Sequence, residues 1–129
     1  MNIKNIFLFI VLIVSSCTND NKIENYRYIV VPLANELKSK DIPRIQNITT
    51  QRGYNSLLEQ TGTDSLDDEL IRSLAIYFEN LNIFEVTDND SIISFCLGDP
   101  DVIVGATGGY IFLKKDSGKY KIDLYRPGK

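Results

Sequence analysis

"YIFLKKDSGKYKIDLY", residues 110–125, decides the fold class. Two apolar and aromatic runs, Tyr110-Ile111-Phe112-Leu113 and Tyr120-Lys121-Ile122-Asp123-Leu124-Tyr125, flank Asp116-Ser117-Gly118-Lys119. Glycine reaches the positive φ of a tight hairpin turn without steric cost, so the stretch predicts two antiparallel strands. The period-two pattern continues upstream. Phe84 and Val86, then Ile92, Phe95 and Leu97, flank Thr87-Asp88-Asn89-Asp90, which reads as another hairpin turn. Between the hairpins, Val102-Ile103-Val104 is a short apolar strand. The chain after Asn82 therefore predicts an antiparallel sheet.

Before Asn82 the apolar spacing is three and four. The clearest helix carries Leu66, Leu70, Leu74, Tyr77, Phe78 and Leu81 on one face. Ser65 is its expected N-cap, and Asp64, Asp67, Asp68 and Glu69 suit the positive end of the helix dipole. Capping accounts for these acids better than a metal site does. Further upstream, Tyr26, Ile29, Val30, Leu33 and Leu37 fall on one helical face from Ile23 onward, with Pro32 inside it. Proline costs about 3 kcal/mol in a helix interior, which predicts a kinked helix ending near Lys40. The competing reading places residues 28–31 in a strand. Asp41-Ile42-Pro43 starts a second short helix with Ile45 and Ile48 inward. A third, from about Arg52 to Gln60, turns Tyr54, Leu57 and Leu58 inward, with Gly62 in C-cap position. Helices followed by antiparallel strands predict an α+β domain with a curved sheet packed over N-terminal helices.

The first residues carry a different signal. Lys4 is the sole charge before Asp20, and every residue from Ile6 to Val14 is apolar. Nine helical residues extend about 14 Å, against the roughly 30 Å of a bilayer core, so the run predicts a secretory signal rather than a span. Val14-Ser15-Ser16-Cys17 resembles the lipobox of bacterial lipoproteins. That resemblance implies that residues 1–16 are removed and that Cys17 receives a diacylglycerol on sulfur, palmitate being a suitable label. Each buried CH₂ of such a lipid contributes about 0.8 kcal/mol, enough to anchor the protein without a helix through the membrane. Thr18 in the next position implies the outer membrane. The expected organisation is a signal peptide at 1–16, a lipidated tether at 17–22 and one α+β domain at 23–129.

The mature layout and its last hairpin resemble the small NTF2-like lipoproteins of bacteria. The resemblance implies a cystatin-like cone, a bent sheet wrapped on helices, with a cavity in many members. It also implies that Asp99 or Asp101, near a cavity mouth, could act as a general base with Tyr110 or Tyr120 as proton donor, although Asp99-Pro100-Asp101 by itself reads as a solvated turn at a strand end.

Composition narrows the chemistry. The formal net charge is −3 and histidine is absent, which removes the commonest general base and zinc ligand. No basic stripe suggests nucleic acid. With Cys17 lipidated, Cys96 is the one free thiol, and its place between Phe95 and Leu97 predicts a buried, structural role. Gly105-Ala106-Thr107-Gly108-Gly109 lacks the following helix and lysine of a phosphate loop and reads as a turn or bulge. Asp88, Asn89 and Asp90 resemble a fragment of a calcium loop, but Ile93 occupies the glycine position, so a turn is expected. No metal or cofactor is expected. The functional expectation is a non-enzymatic envelope lipoprotein that binds a protein partner or small molecule, an immunity or inhibitor protein being one form. The alternative is an NTF2-like cavity enzyme of isomerase or hydrolase type.

Overall fold

A computed structural model describes residues 22–60, 62, 64–98 and 108–128. Among the described residues, four helices of six residues or more precede the sheet: α1 (Arg27–Lys38), α2 (Ile42–Asn47), α3 (Gln51–Leu58) and α4 (Asp68–Glu79). Strands β1 (Ile83–Asp88), β2 (Ile92–Leu97), β3 (Gly109–Asp116) and β4 (Lys119–Arg126) follow. They pair antiparallel in chain order, leaving β1 and β4 as the edges. The chain is thus α+β. The signal and lipobox residues, Cys17, the strand expected at 102–104 and the candidates Asp99 and Asp101 lie outside the described residues.

The closing hairpin forms as its residues dictate. Asp116 pairs with Lys119 across a two-residue turn in which Ser117 (φ 52°) and Gly118 (φ 83°) are both left-handed. Two such residues match the twist of the strands they join. The first hairpin turns later than its sequence suggests. Thr87 and Asp88 belong to β1, and Asp90 takes φ 72°. The Asn89 side chain accepts from the Ile92 amide at 2.9 Å, and the Asp88 carboxylate accepts from Asp90 N–H at 2.9 Å.

The inner face of the sheet carries Ile93, Phe95, Leu97, Ile111, Leu113, Ile122 and Tyr125. Against it pack Ile29, Val30, Leu33, Ala34 and Leu37 of α1 and Ile71, Leu74, Ala75 and Phe78 of α4. Phe95 is gripped edge-on by Tyr26 (centroids 5.6 Å apart) and Phe78 (6.3 Å), a geometry in which ring edges meet ring faces of opposite charge. Ile45 of α2 and Leu57 of α3 close the ends of this core. Among the described residues no buried side-chain nitrogen or oxygen lacks a partner.

Several expectations change in phase. The strand reading of residues 28–31 is replaced by α1, which runs through Pro32 because its opposite face is buried in the core while proline stays exposed. The α4 cap is Asp67, whose carboxylate accepts from Glu69 N–H at 2.9 Å, and not Ser65. The helix buries Ile71 and Ala75 beside Leu74 and Phe78, leaving Leu66, Leu70, Tyr77 and Leu81 partly covered. The buried face is rotated because it must serve α1 on one side and the sheet on the other. Glu59, not Gly62, is the C-cap residue of α3. Ile83 points inward and Phe84 outward, since the register slips between Ile83 and Glu85 opposite Cys96. Such a bulge puts two residues against one and breaks alternation. Ile92 is likewise exposed, and Ile93 takes the inward place.

Candidate functional site

The outer edge of β4 runs past two different neighbours. At its C-terminal half it meets α3 so closely that a side chain does not fit. A Cβ on Gly53 would lie 1.9 Å from the Ile122 carbonyl oxygen. Thr50 caps this helix, its hydroxyl oxygen accepting from Gly53 N–H at 3.0 Å. The same hydroxyl donates to Asp123 Oδ1 at 2.8 Å, while Arg52 Nη2 donates to Asp123 Oδ2 at 2.5 Å. Asp123 is buried and Arg52 mostly exposed. Buried Ser56 completes the seam, accepting from Tyr125 N–H at 2.8 Å and donating to the Gly53 carbonyl at 2.7 Å. Every polar group here serves to hold α3 on β4.

Toward the turn, the same edge faces a groove of about 670 Å³ between α1 and β4. Tyr28, Pro32 and Glu36 of α1 form one wall, Asn47 and Ile48 one end, and Lys119, Tyr120 and Lys121 the other wall. Tyr28 is 76% exposed, the most exposed of the protein's large apolar or aromatic side chains that are described. Pro32 carries no N–H to return to the Tyr28 carbonyl one turn back, so the helix offers backbone polarity on this side. Glu36 is held by Arg44 through two hydrogen bonds of 2.8 and 3.0 Å. The Arg44 guanidinium keeps the Glu36 carboxyl below its ordinary range. Lys115 sits over the Tyr120 ring at 5.7 Å, and Lys121 reaches Asp116 at 3.3 Å. Burial and the neighbouring Asp88 raise the pKa of Tyr120, so its phenol stays neutral and able to donate. Beyond the groove, Tyr26 donates to Asp88 Oδ2 at 2.9 Å, and its pKa is raised to about 12, by burial first and that carboxylate second.

The tyrosine candidates do not converge. Tyr110 pairs with Arg126 at one end of the β3–β4 ladder, and Tyr120 pairs with Lys115 near the other. Tyr110 lies on the outward face of the sheet, 49% exposed, opposite Cys96. A hydrogen bond with Cys96 raises its pKa. Cys96 itself is buried at 8% exposure and unpaired with another cysteine. Of the two described candidates, Tyr120 lines the groove and Tyr110 does not. The seam residues Thr50, Arg52, Ser56 and Asp123 escaped sequence reading because their partners lie about 70 positions away. Gly53 inside an otherwise good helix was the one local signal. Among the described residues no three potential metal ligands cluster, and no helix is long and apolar enough to cross a membrane.

Compared with protein-family models, curated proteins and solved structures, the chain matches none of them.

Proposed function

We propose that the protein is a non-enzymatic binding module of the bacterial cell envelope, anchored through lipid on Cys17 and engaging its partner at the α1–β4 groove. The lipobox-like Val14-Ser15-Ser16-Cys17 supports the anchor, and Thr18 supports the outer membrane. The finer fold reading, an NTF2-like cone, draws support from the helices-then-sheet order and from the register shifts that bend β1 and the β3–β4 pair.

One observation carries the binding reading. The space between sheet and helices is filled by side chains at or below 1% exposure, including Phe78, Phe95, Leu97, Ile111 and Leu113, so the sheet holds core where a cavity enzyme holds substrate. An open groove lies outside it, flanked by Tyr28 and Tyr120. Tyrosine supplies large contact area at low entropic cost and is enriched where proteins meet. The test is to place a photo-crosslinking phenylalanine analogue at Tyr28 in the full chain in its native envelope, and another at Arg72 on α4. A discrete adduct at position 28, absent at 72, is expected. No adduct at 28, or the same adducts at both positions, overturns the reading. Labelled palmitate should enter wild type but not Cys17→Ser, and an unlabelled wild type overturns the anchor.

A further inference from the structure

In an antiparallel ladder, residues alternate between those bonded to the neighbouring strand and those whose N–H and C=O point away. Ile122 is of the second kind. Its N–H donates to the Ile48 carbonyl at 2.8 Å, and its carbonyl accepts from Thr50 N–H at 2.9 Å. Residues 48–50 thus form one rung of a fifth, parallel strand, with Thr49 opposite Ile122. The register is unbroken from Ile122 through Lys121 to Tyr120, so Tyr120 presents its N–H and C=O to the same side. The chain does not follow it there. The Ile48 amide already turns back to Ile45 as α2 ends. Among the described residues, the Tyr120 backbone groups on that side have no partner, and the groove lies against them.

We propose that this rung receives an extended acidic peptide segment, which adds to β4 as an outer strand at Tyr120 while Lys119 and Lys121 hold its carboxylates. The inference rests on the groove being the binding site. Charge selects the occupant. In a chain of net charge −3, residues 114–121 hold four lysines and one aspartate. The one acid on the opposite wall, Glu36, is already neutralised by Arg44. A second copy pairing through its own β4 would bring the same lysines against themselves, which is how edge strands repel one another. An acidic strand meets instead two backbone groups, Lys119, and Lys121, whose ammonium it shares with Asp116, the combination by which exposed sheet edges capture extended peptides.

The test uses the full chain in detergent, labelled with ¹⁵N, and a short peptide of alternating Glu and Val. The Tyr120 amide should shift and become protected from exchange. A Lys-for-Glu peptide should bind at least about tenfold more weakly, as expected when like charges meet. The acidic peptide N-methylated on the amides that would face β4 should lose binding altogether. The double variant Lys119→Glu, Lys121→Glu should reverse the charge preference while the Ile122 and Tyr125 amides stay protected, which shows that it folds. Equal binding of the N-methylated peptide, an unmoved Tyr120 amide, or equal displacement by a short oligothymidine overturns the proposal. If Tyr28 crosslinks persist while the peptide fails, this inference falls alone. If the crosslinks are absent, the groove reading falls with it.

Discussion

From Ile122 to Tyr125 the outer edge of β4 is covered by α3, and from Lys119 to Lys121 the same edge faces an open groove. In the covered half, Thr50 bonds Asp123 and Ser56 bonds the Tyr125 amide across the two elements, while Gly53 lets α3 approach the Ile122 carbonyl. The open half uses tyrosines and lysines, whose side chains keep both apolar area and charge at the surface. An edge strand is a hazard wherever its backbone is bare. The difference teaches where the fold closes: α3 covers the edge from Ile122 to Tyr125 and leaves the rung at Tyr120 facing the groove.

Substitutions can break this contrast in graded steps. Leu74→Ala, in the shared core at 1% exposure, should cost about 2–5 kcal/mol and lower the melting temperature without favouring either half. Denaturant titration checks it. Gly53→Ala should cost about 1–3 kcal/mol despite alanine's better helix propensity, because the methyl group would meet backbone at Ile122 and α3 must lift off. If Gly53→Ala stabilises the protein instead, the covered half is looser than described. Asp123→Ala should cost about 1 kcal/mol, since the Thr50 hydroxyl loses its carboxylate while exposed Arg52 recovers water. Its peptide or partner binding should be unchanged, because the groove does not use Asp123.

The smallest effect concerns pH. Tyr26 has a folded pKa of about 12 against an ordinary 10.0, raised by burial and by the Asp88 carboxylate. The folded state thus holds this proton more tightly than the unfolded chain does. The stability it contributes is complete below pH 10 and declines as pH rises toward about 12. Tyr26→Phe should flatten that decline, as followed by alkaline denaturation.

What was legible in the sequence was local. The 117–118 turn, the helical stripe through Leu74 and the inward Phe95 follow from periodicity and glycine chemistry, which need only neighbours in the chain. The phase errors share one cause. Ile71 replaced Leu70, and Ile83 replaced Phe84, because tertiary packing chose the buried face where two adjacent apolar residues competed. The seam at Asp123 and the open rung at Tyr120 were hidden for a different reason. Both depend on residues 48–56 meeting residues 120–125, a long-range pairing that no spacing rule encodes. Tyr120 entered the sequence reading as a proton donor and stands in the structure as a groove wall.

The central claim is that one edge carries a closed half and an open half, and hydrogen exchange of the full chain by ¹⁵N NMR reads it residue by residue. The Ile122 and Tyr125 amides, bonded to Ile48 and Ser56, should exchange slowly, with the stability of the sheet. The Tyr120 amide, two residues from Ile122 on the same strand, should exchange orders of magnitude faster. Protection of Tyr120 equal to that of Ile122 would mean the edge is covered along its whole length and would contradict the account.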